Sequence, residues 1–383
     1  MADRRRTRTL ELLHAFVAEQ TVSESSNEAL LRAMAEVLDG CGADIRLLPG
    51  EAGRFSLLAR FGPDRPGGLA FGGHSDVVPA GDGWTTDPWA MTLRADGRAV
   101  AGRGVADMKG FLACLLAAAE DIPIGELVEP VHVAVTFDEE IGCRGVRHLL
   151  PVMADDANLR PRVLVIGEPT MMAPAVSSLG KVAYEVDVVA AAGHSSEAAT
   201  RPSAVHVAAR LIAALDDLVL AMPSGRFGGP GFIPNVGSVS GGTQTNVIAD
   251  RCRFRFELRV DGDHDPDEVL APFTALLTDC ERRLAPVGGS IAMREITRYP
   301  ALSTSPEEPI VQLVQRICDR PTTHLSFGTE GGLFADALGL PVVVCGPGDI
   351  ADAHRADEHV TLDQLDRCAI VIDELIAACC LRR

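Results

Sequence analysis

Residues Val131–Gly142 read VHVAVTFDEEIG. Val131, Val133, Val135 and Phe137 place β-branched and aromatic side chains at period two, with mostly small residues between them. That is the pattern of a strand covered on both faces. The stretch predicts a buried strand of an α/β sheet that runs out into Asp138-Glu139-Glu140. Open α/β sheets place their ligand sites outside the carboxyl ends of the strands. Adjacent carboxylates also repel one another, so a packed sheet end tolerates them poorly without cations nearby. Read alone, the stretch is equally well explained as a solvated strand end.

Working outward, other strand ends carry metal-ligand residue types. Upstream, LAFGGHSDVVP (Leu69–Pro79) predicts a strand ending in His74-Ser75-Asp76. Residues two apart on a strand share a side. His74 can therefore serve as a ligand while Asp76 orients its ring through the other nitrogen. In GRGVADMKGFLACLLAAAEDIP, Asp107 precedes a predicted helix that starts near Lys109, where the helix dipole favours an ionised carboxylate. The GRG is not a phosphate loop, since neither GxxxxGK[ST] nor a full GxGxxG is present. Downstream, RVLVIGEPT (Arg162–Thr170) predicts another buried strand, ending on Glu168 between Gly167 and Pro169. His354, in the loop after a predicted strand Pro341–Cys345, is the remaining ligand candidate, with His359 as its competitor.

Further elements frame these. Helices are expected over 7–19 and 27–41, and a strand over 55–61. Between 181 and 297 the pattern changes to strand, helix (202–220), Gly/Pro-rich loop (223–234), two strands, helix (265–284) and strand (290–297). That is a compact α+β unit with one antiparallel sheet, inserted into a parallel α/β chain. The expected organisation is a mixed, largely parallel sheet sandwiched by helices, formed by 1–178 and 298–383 and interrupted by an inserted domain at 179–297. Helices at 308–318 and 361–381 complete the chain.

With 35 Lys+Arg against 53 Asp+Glu, the formal net charge is -18, which argues against nucleic acid or an anionic membrane as partner. The ten cysteines are scattered without a CxxC, as in a reduced cytoplasmic protein. The charged start MADRRRTRTL lacks an apolar h-region, and no apolar run reaches the roughly 20 residues of a membrane span.

Together GGHSDVVP, WTTDPW, GRGVADMKG, DEEIG, GEPT, GHSS, TNVIA, GTEGG and GPGDIADAHRADEH resemble, in order and over essentially the whole chain, the acetylornithine deacetylase and succinyl-diaminopimelate desuccinylase family of dimetal amidohydrolases. The resemblance implies two divalent ions, zinc with cobalt able to substitute. Asp107 would bridge them, His74 and Glu168 would complete one shell, and Glu140 and His354 the other. Glu139 would be the general acid/base, Asp76 would buttress His74, and the Asp107–Met108 peptide would be cis. It further implies a homodimer formed by the inserted domains, with His194 of GHSS reaching the partner subunit's site. Asn246, Arg259, Thr329 and Glu330 match substrate-binding positions. The segment after GHSS, EAATRPSAVHV, departs from the family's usual turn.

The implied activity is hydrolysis of an N-acyl amino acid, with N-acetyl-L-ornithine first and another N-acyl amino acid or a dipeptide second. A non-catalytic binding relative is disfavoured because Glu139 accompanies the full ligand set. GHSSE is not a GxSxG elbow, and Cys143 beside three carboxylates would have a destabilised thiolate.

Overall fold

The computed structural model describes residues 2–221 and 231–382. The chain divides into two compact units, one of Met1–Ser177, Leu302–Leu325 and Thr329–Arg383, the other of Ser178–Ala301 and Ser326–Gly328. Most of the predicted loop 223–234 lies outside the described residues.

The first unit is built on a mixed sheet. Its strands lie in the order Asp44–Pro49, Phe55–Phe61, Val131–Thr136, Leu69–His74, Val163–Pro169, Val342–Gly346, Ala175–Ser178 and Leu302–Ser303. The first two pair antiparallel at one edge. The four strands beginning at Val131, Leu69, Val163 and Val342 are parallel neighbours, so their carboxyl ends emerge along one edge of the sheet. The Val131–Thr136 strand is buried at every position, as its unbroken run of core-type residues requires.

The helix Lys109–Ala119 is buried along its whole length and packs against the helices Ala2–Ala18 and Leu362–Cys380 as well as the sheet. Phe111 from this helix lies so close to the Val163–Pro169 strand that a Cβ on Gly167 would sit 1.9 Å from its ring; no other residue fits there. Lys109 is also fully buried, and its Nζ donates to the carbonyls of Phe16 (2.9 Å) and Glu19 (2.8 Å). It thereby ties the end of the first helix, whose last carbonyls lack intrahelical partners, to the helix that begins at Lys109. Helices Val146–Asp155 and Gly331–Leu338 pack on each other and on the Phe55 and Val342 strands. Neither these helices nor the edge strand Asp44–Pro49 is expected from the sequence pattern, and the first helix starts at Ala2 rather than at the expected residue 7.

The second unit is a four-stranded antiparallel sheet in the order Phe232–Gly241, Arg251–Val260, Gly180–Val189, Ser290–Tyr299. Along Arg251–Val260, Cys252, Phe254, Phe256, Leu258 and Val260 are buried with the helices Ala204–Ala221 and Pro266–Leu284, while Arg251, Arg253 and Arg255 face solvent. The second helix starts at Asp265, whose carboxylate accepts the Asp267 N–H at 2.8 Å, with Pro266 at its first position. Both features are sequence-readable helix starts. Among the described residues no helix is long and apolar enough to cross a membrane.

Candidate metal centre

The parallel strands deliver the ligand types to one place. His74 ends the Leu69 strand, Glu139 and Glu140 follow the Val131 strand, and Glu168 lies at the end of the Val163 strand. His354 stands in the loop beyond the Val342 strand, with a left-handed backbone (φ 61°) that is uncommon for residues other than glycine. Asp107 stands on a cis peptide to Met108 at the start of the Lys109 helix.

Asp107 lies between the two imidazoles. Its Oδ1 is 3.1 Å from His74 Nε2 and its Oδ2 is 3.1 Å from His354 Nε2. Glu168 Oε1 lies 3.8 Å from His74 Nε2, and Glu140 Oε1 2.9 Å from His354 Nε2. Two sets, His74 with Glu139 and Glu168, and His74 with Asp107 and Glu140, each hold ligand atoms within 4.8 Å of one another. One carboxylate facing two imidazoles, each with a further carboxylate, is a donor set that suits two neighbouring divalent ions.

Electrostatics point the same way. Burial, with the charges of neighbouring carboxylates, raises the carboxyl groups of Glu139 and Glu168 well above the usual range, and Glu140 is raised as well. Burial also raises Asp107, but hydrogen bonds from both imidazoles outweigh it and hold that carboxyl below its ordinary value. Its hydrogen bonds to Asp107 and Glu140 push the His354 imidazole up to about 10. Burial opposes the His74 imidazolium, yet contacts with Asp107, Asp76 and Glu168 raise it well above the usual histidine range. The carboxylates thus lean on two shared imidazolium protons for positive charge, which divalent ions would replace while releasing those protons.

The Asp76 carboxylate does more than face His74. His74 Nδ1 has the Asp76 backbone carbonyl at 2.8 Å, while the carboxylate Oδ1 is 3.5 Å away. The carboxylate instead accepts the N–H groups of Glu139 (3.1 Å) and Glu140 (3.4 Å) and the Ser23 hydroxyl (2.7 Å). Asp76 therefore orients the ring mainly through its main chain and fixes the acidic turn with its side chain. A strand period of two speaks only of side-chain directions and says nothing of the backbone carbonyl, and the strand ends at His74, before Asp76.

Asp138, the first residue of the acidic run, has no part in the ligand sets. It is buried with φ 52°, pairs with Arg54 and accepts the Glu24 N–H at 2.8 Å. The sequence offered no signal for Arg54, since the partners lie 84 positions apart. Thr329 is fully buried and its hydroxyl accepts the Gly331 N–H at 3.1 Å, at the start of a helix. Glu330 is buried too; it accepts the Thr136 hydroxyl at 2.6 Å, and burial pushes its carboxyl up to about 7. Cys143 donates to Glu139 at 3.4 Å, and burial with that charge pushes its thiol well up, the reverse of an activated nucleophile.

His194, Asn246 and Arg259 belong to the second unit. His194 is exposed and its Nδ1 accepts the Ser196 N–H at 3.3 Å, capping the short turn Ser195–Glu197. The Asn246 carbonyl accepts the Ser195 N–H at 3.0 Å. Arg259 donates to Glu257 (2.9 Å) and to the Tyr299 hydroxyl (3.0 Å).

Comparison with known proteins agrees with this architecture. The chain is 29% identical over 391 aligned positions to the acetylornithine deacetylase of Photorhabdus laumondii subsp. laumondii, covering 97% of each. Its fold matches a tripeptidase from Staphylococcus aureus (TM-score 0.75, 20% identity, 97% of this chain and 98% of that one). It also matches the M20 family metallo-carboxypeptidase Sso-CP2 from Sulfolobus solfataricus (TM-score 0.77, 16% identity, 96% and 98%). The model of peptidase family M20/M25/M40 matches residues 70–378, so the chain belongs to that family and is a hydrolase.

Proposed function

We propose that this hydrolase uses two divalent ions to cleave the amide bond of an N-acyl amino acid, with N-acetyl-L-ornithine the first candidate and zinc the first candidate metal, cobalt substituting. The observation that carries the reading is Asp107 set between His74 and His354, each with its own further carboxylate. In this reading His74 and Glu168 would hold one ion and Glu140 and His354 the other, with Asp107 available to both. Bound there, such ions polarise a carbonyl and lower the pKa of water toward neutrality.

Glu139 takes the proton of the attacking water and passes it to the departing amine nitrogen. Its raised pKa suits a group that must first accept and then release a proton near neutral pH. Asp76 supports this role by holding the Glu139 and Glu140 N–H groups. The products are a carboxylate, acetate for the first candidate, and a free amine.

The second unit is assigned the part of dimerisation and lid domain. His194 from the partner subunit would donate a hydrogen bond to the tetrahedral oxyanion, and Asn246, Arg259, Thr329 and Glu330 would take the substrate. Support for this part is the motif order and the relative of 29% identity. Mixing Glu139→Ala with His194→Ala homodimers tests it, since one restored site per heterodimer is expected after subunit exchange and none if His194 serves its own chain. The substrate reading is tested on a panel of N-acyl amino acids and dipeptides with added zinc or cobalt. N-acetyl-L-ornithine is expected to give the highest kcat/KM, and activity should vanish on chelation. A higher value for N-succinyl-diaminopimelate, N-acetylmethionine or a dipeptide would replace that substrate, and turnover by demonstrably metal-free protein would end the two-metal reading.

A further inference from the structure

Four residues beyond His354, and outside both ligand sets, Glu358 is buried at 1% exposure. Its Oε1 accepts two successive backbone N–H groups, from Ala106 at 2.9 Å and from Asp107 itself at 3.1 Å. Its Oε2 accepts Arg103 Nη1 at 2.5 Å, and its own carbonyl accepts the Gly102 N–H at 3.0 Å. Arg103 is equally buried. Its Nη2 donates to the carbonyls of Pro79 (3.3 Å) and Ala80 (3.0 Å), and its guanidinium lies 5.2 Å from the centre of the Trp84 ring. Just beyond Glu358, the strand His359–Thr361 pairs with Ala99–Ala101.

The Arg103–Glu358 pair therefore ties together the segments that follow His74, precede Asp107 and follow His354. A buried ion pair is weak evidence for stability, because desolvation offsets the attraction. Here, however, Glu358 and the Arg103 Nη2 turn to main chain beside the candidate ligands, while the buried Arg103 Nε has no partner among the described residues.

We propose that Glu358, held by Arg103, is the positioning residue for Asp107 and fixes its separation from the His354 loop, so that it sets metal affinity without touching a metal. The inference rests on the two-metal reading above. Glutamine is the informative replacement. With its oxygen toward Ala106 and Asp107, its amide N–H2 meets the Arg103 guanidinium; flipped, the N–H2 meets the two backbone N–H groups. Either way donors face donors, so the link from Arg103 through residue 358 to the Asp107 backbone is broken at one end or the other while no ligand residue is replaced.

The test titrates metal-stripped full-length protein with cobalt, followed by its visible absorption, and with zinc by calorimetry. Compared are wild type, Glu358→Gln, Glu358→Asp and Leu375→Ala. Leu375 is a buried core residue away from the network, so its variant controls for lost stability alone. Outer partners of ligands are typically worth about 10–100-fold in affinity. We expect a loss of that size for Glu358→Gln with an altered cobalt spectrum, a smaller loss for Glu358→Asp, and none for Leu375→Ala at a temperature where all are folded. The shorter but still charged Glu358→Asp decides the matter if the glutamine variant does not fold. Wild-type affinity and spectrum in a folded Glu358 variant overturn the inference and leave the two-metal reading standing. Absence of tight divalent binding in wild type overturns both.

Discussion

The two units each gather carboxylates, and they handle the charge in opposite ways. In the second unit Glu185, which is buried, and Asp187, which is partly buried, lie directly across from the exposed Arg255 and Arg253. Asp187 accepts Arg251 Nε at 2.9 Å and Arg253 at 2.7 Å, and Glu185 accepts Arg255 at 2.8 Å and Arg294 at 3.1 Å. These hydrogen bonds hold Asp187 down to about 2, and Glu185 is lowered as well. In the first unit Glu139, Glu140 and Glu168 are shifted the other way, and the positive charge acting on them comes from His74 and His354. A carboxylate cluster with its own arginines is complete. One that leans on two histidines has room for a cationic ligand, and the chemistry is expected there.

The sharpest way to break this contrast is at Glu139. Glu139→Gln is expected to lower kcat by about 10²–10⁴-fold, the usual worth of a general acid/base, while metal content by atomic absorption stays at the wild-type level. Wild-type turnover would remove Glu139 from the mechanism. Asp107→Ala, by contrast, should fail to retain metal at all.

The next effect is on stability. A ligand at 100 times its Kd adds about 2.7 kcal/mol, so saturating zinc should raise Tm by several degrees and sodium chloride at equal ionic strength should not. Equal shifts from both salts would mean that the first cluster responds to ionic screening alone and holds no specific cation.

Their pH responses should differ in sign. Raised values for Glu139, Glu168 and His354 mean that these groups hold more protons in the metal-free folded chain than in the unfolded one, whereas burial lowers Lys109 to about 7 and His132 to about 4, which acts the other way. Starting from unfolded values of roughly 4.3 and 6.5, the contribution of the raised groups to stability falls as pH rises, with the His354 part lost by about 10. The lowered value of Asp187 works in reverse. Its contribution is present above the unfolded value of about 3.9 and is lost as pH falls toward about 2. Denaturant titrations of metal-free protein across this range, with Asp187→Asn as the reference at the acid end, would show both slopes. Because Lys109 and His132 add the opposite slope, the comparison is with His354→Ala: a pH dependence between roughly pH 5 and 9 that this substitution leaves unchanged would contradict the proton balance at the first cluster.

The smallest effect belongs to the second cluster itself. Asp187→Asn is expected to cost about 1 kcal/mol or less, as exposed ion pairs do, with the difference shrinking in high salt. A loss several times larger would show that the arginine ladder is structural rather than a solvated face.

What the sequence determined by itself were the features written in local order. Period-two apolar runs marked the strands from Val131, Val163 and Val342, and the ligand types at their ends were readable because parallel strands bring those ends to one edge. Helix boundaries in the second unit were readable from Asp265-Pro266, a cap and a first-turn proline. Short or less patterned elements escaped, among them the edge strand Asp44–Pro49 and the helix Gly331–Leu338, whose opening glycines argue against a helix on propensity. Tertiary structure alone decided which atoms of those residues are used. It turned the Asp76 carboxylate onto the Glu139 and Glu140 N–H groups, paired Asp138 with Arg54, and set Glu358 beneath Asp107 from 251 positions away. Local pattern reports which way a side chain leaves the backbone. Hydrogen-bond partners distant in sequence, and the burial that raises or lowers a charge, exist only once the chain has packed.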